Sequence, residues 1–177
     1  MSRAARLDLR SFQKELATRL ASKTAAQVES SRLCIGCGKR RFLIRLGEAG
    51  EVIALPAIVP VPLTKAWFLG LANIRGNLYS VIDFAVFLGD ARIALTSLSR
   101  LVLLSSRGGE SAGIVVERVL GLRNLAQFSP HAEDVAAPPW QVAGWRDADG
   151  VVYKEIDLGM LARDQAFLQV GAASVGG

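Results

Sequence analysis

The side chains best suited to covalent chemistry are the two cysteines, in the run Cys34-Ile35-Gly36-Cys37. A Cys-x-x-Cys pair does redox work when a helix N-terminus lowers one thiol pKa. Here Gly38-Lys39-Arg40-Arg41-Phe42 follows, a turn leading to a strand, and residues three apart on a strand face opposite sides. The pair therefore reads as two small residues around a hairpin turn, not as a thiol oxidoreductase, and there is no second pair to build a disulfide framework. Structural zinc takes four ligands, whereas Cys34, Cys37 and the single histidine, His131, supply at most three. His131, between Pro130 and Glu133-Asp134, reads as a solvated loop residue. Gly36-Cys37-Gly38-Lys39 lacks the spacing of a Walker loop and the third glycine of a dinucleotide fingerprint. Catalytic, metal and cofactor sites are all absent from this reading, and the chain is expected not to be an enzyme.

The informative stretch runs from Val61 to Phe84. Two apolar strands flank Arg75-Gly76-Asn77, where Gly and Asn tolerate the positive φ of a tight turn. That places Arg75 at or beside an apex. The turn itself does not need an arginine, whose fork of donors can pair with a carboxylate from the same chain or from a partner, or simply be solvated. Asp83 precedes a short helix, Phe84 to Leu88, which Gly89 ends, so it is expected to cap that helix as scaffold.

The elements that must position these residues are mostly strands. Residues 7–25 form an amphipathic pattern with Leu9, Phe12, Leu16 and Leu20 on one face, and residues 21–31 then become small and polar. Beyond a compositional boundary near residue 30, Phe42, Ile44 and Leu46 alternate with Arg41 and Arg45, as in a half-buried strand. Val52 to Leu55 is a strand, and Pro56, Pro60 and Pro62 hold an extended path after it. Further short apolar runs cover Trp67–Ile74, Leu78–Ile82, Arg100–Leu104, Ala112–Val119, Leu120–Gln127, Gln141–Trp145 and Val151–Ile156. Besides Phe84–Leu88, only Asp157 to about Gln165 reads as helix, and no fixed-period repeat is evident. About nine or ten short strands with glycine-containing turns imply an all-β barrel or pair of barrels.

At 177 residues, 51% hydrophobic, the chain can build a core without staples. Its net charge is +5 and its isoelectric point near 9.7. Residues 1–45 hold 11 Lys/Arg against 3 Asp/Glu, whereas residues 46–177 hold 10 against 13, so the basicity belongs to the N-terminal end. A nucleic-acid-binding barrel is the alternative such a charge suggests, but the barrel portion is acidic and only 7% of residues are aromatic. No run reaches the roughly 18 to 20 apolar residues that cross a bilayer, and the charged N-terminus lacks a secretory signal, so a cytoplasmic protein is expected.

The run Gly70-x-x-Asn73-Ile74-Arg75-Gly76, followed by Val81-Ile82-Asp83-Phe84, resembles the central signature of CheW-like domains, adaptor modules of bacterial chemosensory arrays. Glu51-Val52, Gly113-Ile114-Val115-Val116-Glu117-Arg118-Val119, the Asp149-Gly150 turn and Ile156-Asp157-Leu158 extend the resemblance over residues 32–164, with Glu117 where the family usually has aspartate. The basic N-terminal helix and the Trp67 to Tyr79 stretch look most like the twitching-motility subgroup associated with type IV pili. The resemblance implies two SH3-like five-stranded β-barrel subdomains sharing a core, preceded by the amphipathic helix. The expected organisation is a helical extension and linker over 1–30, a CheW-like domain over 31–165 and a flexible tail over 166–177. It further implies a scaffold without cofactor that bridges the cytoplasmic tip of a methyl-accepting receptor to the regulatory domain of a CheA-like histidine kinase, at membrane-associated arrays. Membrane association would then be indirect, through the receptor, in a pilus, flagellar or other pathway. Gly70, Asn73, Arg75 and Gly76 carry over as receptor-facing or groove-supporting positions, with Glu51 added beside them. The N-terminal helix could pack on its own barrels or a partner, extend freely, or lie on anionic lipid.

Overall fold

The structure is a computed structural model that describes residues 29–104, 111–132 and 136–172. The expected helix over 7–25 lies outside the described residues. Two sheets make up the fold. The first, in the order β8-β1-β2-β11-β10-β9, contains β1 (Ser31–Cys37), β2 (Arg40–Arg45), β8 (Arg118–Asn124), β9 (Ser129–His131), β10 (Gln141–Arg146) and β11 (Val152–Ile156). The second, in the order β3-β6-β7-β5-β4, contains β3 (Ala49–Ala54), β4 (Phe68–Ile74), β5 (Asn77–Asp83), β6 (Arg100–Leu104) and β7 (Ala112–Val116). Short helices α1 (Phe84–Phe87), α2 (Leu158–Leu161) and α3 (Gln165–Leu168) follow β5 and β11.

Each sheet curls toward closure because one edge strand sends the chain across to the other edge. After β3 the chain reaches Val59, which exchanges both backbone hydrogen bonds with Leu71 of β4, at 2.8 and 2.9 Å. After β8, a 3-10 turn at Leu125–Gln127 leads to β9, which pairs with β10 at the far edge. The expected pair of five-stranded SH3-like barrels is thus present, with β9 as a sixth strand on one sheet.

The two barrels are also copies of one plan. The pairs Phe68↔Ile82 and Gly70↔Val81 straddle a bulge in one, and Gln141↔Ile156 and Ala143↔Glu155 straddle the corresponding bulge in the other. In each, a tryptophan carbonyl accepts from the N–H of the capping aspartate at 2.8 Å: Trp67 from Asp83, and Trp140 from Asp157. Both aspartates cap four-residue helices, through Val86 N–H and Met160 N–H. The repeat was not evident in sequence because it is permuted: one barrel runs without interruption from β3 to β7, while the other joins β1 and β2 to β8 through β11.

Three apolar clusters hold this arrangement. One fills the space between the sheets, with Ile35, Phe42 and Ile156 facing Ile82, Val102 and Ile114. Val81, Leu101 and Val115 fill the five-stranded barrel, and Cys34, Leu43, Phe128 and Tyr153 the six-stranded one. Strands shared between clusters are buried on both faces. That corrects the half-buried reading of β2: Phe42, Leu43 and Ile44 are all buried.

Other boundaries also shift. The run Ala112–Val119 breaks at Glu117, where the chain passes from β7 in one barrel to β8 in the other. The expected flexible tail is folded through residue 172: Phe167 is buried and stacks on Trp67, and Gly171 bridges Thr64.

Candidate functional site

The turn between β4 and β5 has both central residues at positive φ, Arg75 at 54° and Gly76 at 89°. This is the primed turn that matches strand twist, and it usually takes Asn-Gly or Gly-Gly. Asn77, expected to share the positive φ, instead begins β5. Asn73 Oδ1 accepts from the Gly76 N–H at 2.9 Å, which stabilises the turn from below.

Arg75 and Glu51 form a bidentate pair, Nη1 to Oε2 at 3.0 Å and Nη2 to Oε1 at 2.7 Å. The carboxylate anticipated for Arg75 is therefore found within its own chain. Glu51 lies on β3, at the opposite edge of the sheet from β4, so the pair spans the barrel's seam. It is open to solvent: the side chains are 76% and 37% exposed. Such a pair contributes about 0–1 kcal/mol, while a non-glycine residue in the left-handed region costs roughly 1–2 kcal/mol. Stability alone does not account for an arginine here. Leu78, opposite Asn73 and 63% exposed, adds apolar surface to the same hairpin. Alternation from the buried Val81 was the signal for its outward direction.

Gly70 belongs to the scaffold of this site, not its surface. It is buried at φ 136°, and a Cβ there would lie 2.1 Å from the Val59 carbonyl oxygen. Glycine is what allows the closing segment to bond Leu71. Glu51, Asn73, Arg75 and Gly76 thus come together at one rim of the barrel, and Gly70 supports them from within the wall.

Asp83 is fully buried and caps α1 as expected, its Oδ1 accepting from Val86 N–H at 3.2 Å. Its Oδ2 has no hydrogen-bond partner and lies 3.8 Å from Arg92 Nη1.

The cysteines lie on one arm of the expected hairpin, with Cys37 next to its Gly38-Lys39 turn, and they face opposite sides of the strand. Both lie in β1, Cys34 inside its own barrel and Cys37 in the core between the sheets. Burial pushes their thiols up from an ordinary value of 9.0 to about 11 and about 12 respectively. Three strand residues separate their Cα atoms by roughly 10 Å, beyond disulfide reach. His131 is in β9, not a loop, its Nδ1 3.2 Å from Arg146 Nη2. No cluster of metal-ligating side chains occurs among the described residues.

Comparison with known proteins agrees with this geometry. Residues 32–166 match the model of the CheW-like domain family. The chain is 32% identical over 161 residues to Protein PilI of Pseudomonas aeruginosa, covering 86% of this chain and 88% of that one. It is 27% identical over 114 residues to Protein FrzA of Myxococcus xanthus, covering 64% of this chain and 68% of that one. The crystal structure of the scaffolding protein TtCheW from Thermoanaerobacter tengcongensis superposes with a TM-score of 0.62 at 18% identity, covering 73% of this chain and 89% of that one, which shows the shared fold. With its two curled sheets, shared core and Asn73-Ile74-Arg75-Gly76 turn, the chain belongs to the CheW-like domain family.

Proposed function

We propose that this protein is a non-enzymatic adaptor that couples a methyl-accepting chemosensory receptor to a CheA-like histidine kinase in type IV pilus twitching motility. The observation that carries the reading is the Arg75–Glu51 pair at an exposed rim, in a left-handed conformation that stability does not explain. A helical receptor tip lays an apolar stripe against Leu78 and the groove between the barrels, while a carboxylate on the tip competes with Glu51 for the Arg75 fork. Edge strands and loops are left for the kinase. The protein works in the cytoplasm at receptor arrays, without cofactor or nucleic acid. Similarity to FrzA favours a second reading, the same adaptor role in another chemosensory pathway.

The test is co-purification of the full chain with a receptor cytoplasmic fragment and a CheA-like kinase. A ternary complex is expected, and Arg75→Glu should weaken receptor binding by about 2–5 kcal/mol, the cost of breaking a desolvated charge pair. Unchanged receptor affinity in that variant would remove Arg75 from the interface.

A further inference from the structure

Three successive cross-strand rows line the inner face of the six-stranded barrel across β8, β1 and β2. They are Arg123–Arg32–Arg45, Gly121–Cys34–Leu43 and Arg118–Gly36–Arg41. The middle row is apolar and closes the barrel interior. The outer two place arginines at its ends, about 13 Å apart at 3.3 Å per residue, and their environments differ.

In the first row every guanidinium meets a carboxylate. Arg32 pairs with Glu155 at 2.9 Å; Arg45 pairs with Glu155 at 3.3 Å, Glu48 at 3.2 Å and Asp157 at 3.7 Å; Arg123 pairs with Asp147 at 3.4 Å. Among the described residues the third row has no such ion pairs. Arg41 Nη1 donates only to the Gly38 and Arg40 carbonyls, both at 3.1 Å, and among the described residues no carboxylate lies in salt-bridge range of Arg41 or Arg118. One acid sits beside the pair: Glu117 Oε2 accepts from Gly38 N–H at 2.9 Å, which leaves two guanidiniums to a single carboxylate, whereas Asp90 pairs with Arg40 at 2.8 Å. The two arginines converge over Gly36. A Cβ on that glycine would meet Arg41 Nη1 and Arg118 Cγ at 3.4 Å each, and Arg118 Nε at 3.6 Å.

Arg118 also lines a cavity of about 350 Å³ with Ile93, Ala94, Thr96, Leu98 and Glu117, and Leu98 is 64% exposed. Two converging guanidiniums against one carboxylate, beside a cavity whose apolar wall is Ile93, Ala94 and Leu98, favour an acidic ligand with an apolar neighbour. We propose that Arg41, Arg118 and this cavity form a docking site for a protein segment that presents a carboxylate next to a leucine-sized apolar side chain. The site is separate from the Arg75 rim. Arg75 and Gly76 precede the start of β5, whereas the cavity lies past the far end of β7, which runs alongside β5 from Ser80↔Ala112 to Asp83↔Val115. The inference therefore stands whether or not Arg75 contacts a receptor.

The test is a backbone NMR titration of the full chain with three probes: the peptide acetyl-Asp-Leu-Glu-Leu-amide, its uncharged analogue acetyl-Asn-Leu-Gln-Leu-amide, and inorganic phosphate. The acidic peptide should shift the amides of Arg41, Ile93, Leu98 and Arg118, and bind at least tenfold more tightly than the uncharged one. The double variant Arg41→Gln/Arg118→Gln should weaken it at least tenfold while leaving remote resonances in place. Leu98→Asp, which keeps both arginines and changes an exposed residue, should also weaken it. Equal binding of the two peptides, indifference to the variants, or shifts confined to other surfaces would overturn the proposal. So would phosphate alone reproducing the Leu98 and Ile93 shifts, which would identify a free-anion site.

Discussion

At the scale of single residues, Arg75 and the two cysteines show how environment decides what a reactive side chain does. Arg75 occupies a position at φ 54° that glycine would fill without strain, and its pair with Glu51 is solvent-exposed. Relief of left-handed strain and loss of a surface pair nearly cancel, at about 1 kcal/mol each. Arg75→Gly should accordingly shift Tm by no more than about 4 °C in either direction, while receptor binding falls as for Arg75→Glu. A calorimetric scan beside a binding measurement separates the two; a large drop in Tm would make Arg75 a structural residue. Cys34 and Cys37 have thiols raised to about 11 and about 12, so both are protonated at neutral pH. Neither should react with a thiol reagent at pH 8 until the protein is unfolded. Because folding raises these pKa values, the stability they contribute is present below pH 9.0, their ordinary value, and is lost as pH rises through about 11 to 12. Denaturant midpoints measured from pH 8 upward should therefore fall. A midpoint that stays flat across that range would contradict the burial.

At the scale of elements, what matters is how each sheet is closed. The presence of a tight turn at Arg75-Gly76-Asn77 was legible in the sequence, though not that Arg75 in place of Asn77 takes the left-handed conformation, and so was the cap at Asp83, because both depend on local backbone geometry. Gly70 was legible only as part of a motif. Its reason is contact with a segment eleven residues earlier in the chain, where the Val59 carbonyl occupies the space a side chain would need. Gly70→Ala should cost more than about 2 kcal/mol, since both the clash and the positive φ oppose it. It should also loosen the Val59–Leu71 bridge, read as faster amide exchange at those two residues; normal protection there would refute the closure argument. The strands β1 and β9 were harder to read for a related reason. β1 was legible only as the arm of a hairpin around Gly38-Lys39, because burial on both faces removes its polar alternation, and β9 has only Ser129, Pro130 and His131, whose pairing is set by β10 and not by propensity.

At the scale of the molecule, the two barrels are interdependent because the chain crosses between them twice, after β2 and after β7. A chain beginning after Leu46 would lack two of the six strands of one sheet, together with Cys34 and Leu43 from its interior and Ile35, Phe42 and Ile44 from the shared core. With about 1.5–3 kcal/mol lost per buried apolar side chain, against a total stability of about 5–15 kcal/mol, such a chain should give no cooperative unfolding transition by circular dichroism. A cooperative transition would mean that the five-stranded barrel is self-sufficient. The sequence by itself determined the fold class and the tight turn after Asn73-Ile74, because strand alternation and turn stereochemistry act over a few neighbours. Only the tertiary structure decided where the charge goes. Part of the basic N-terminal count lies not in the helical extension but in β1 and β2, where Arg32, Arg40 and Arg45 are neutralised by Glu155, Asp90, Glu48 and Asp157 from the acidic remainder of the chain. Ion pairing acts through space over a few ångströms, and inserting the N-terminal hairpin among the C-terminal strands makes neighbours of residues more than a hundred positions apart, as with Arg32 and Glu155.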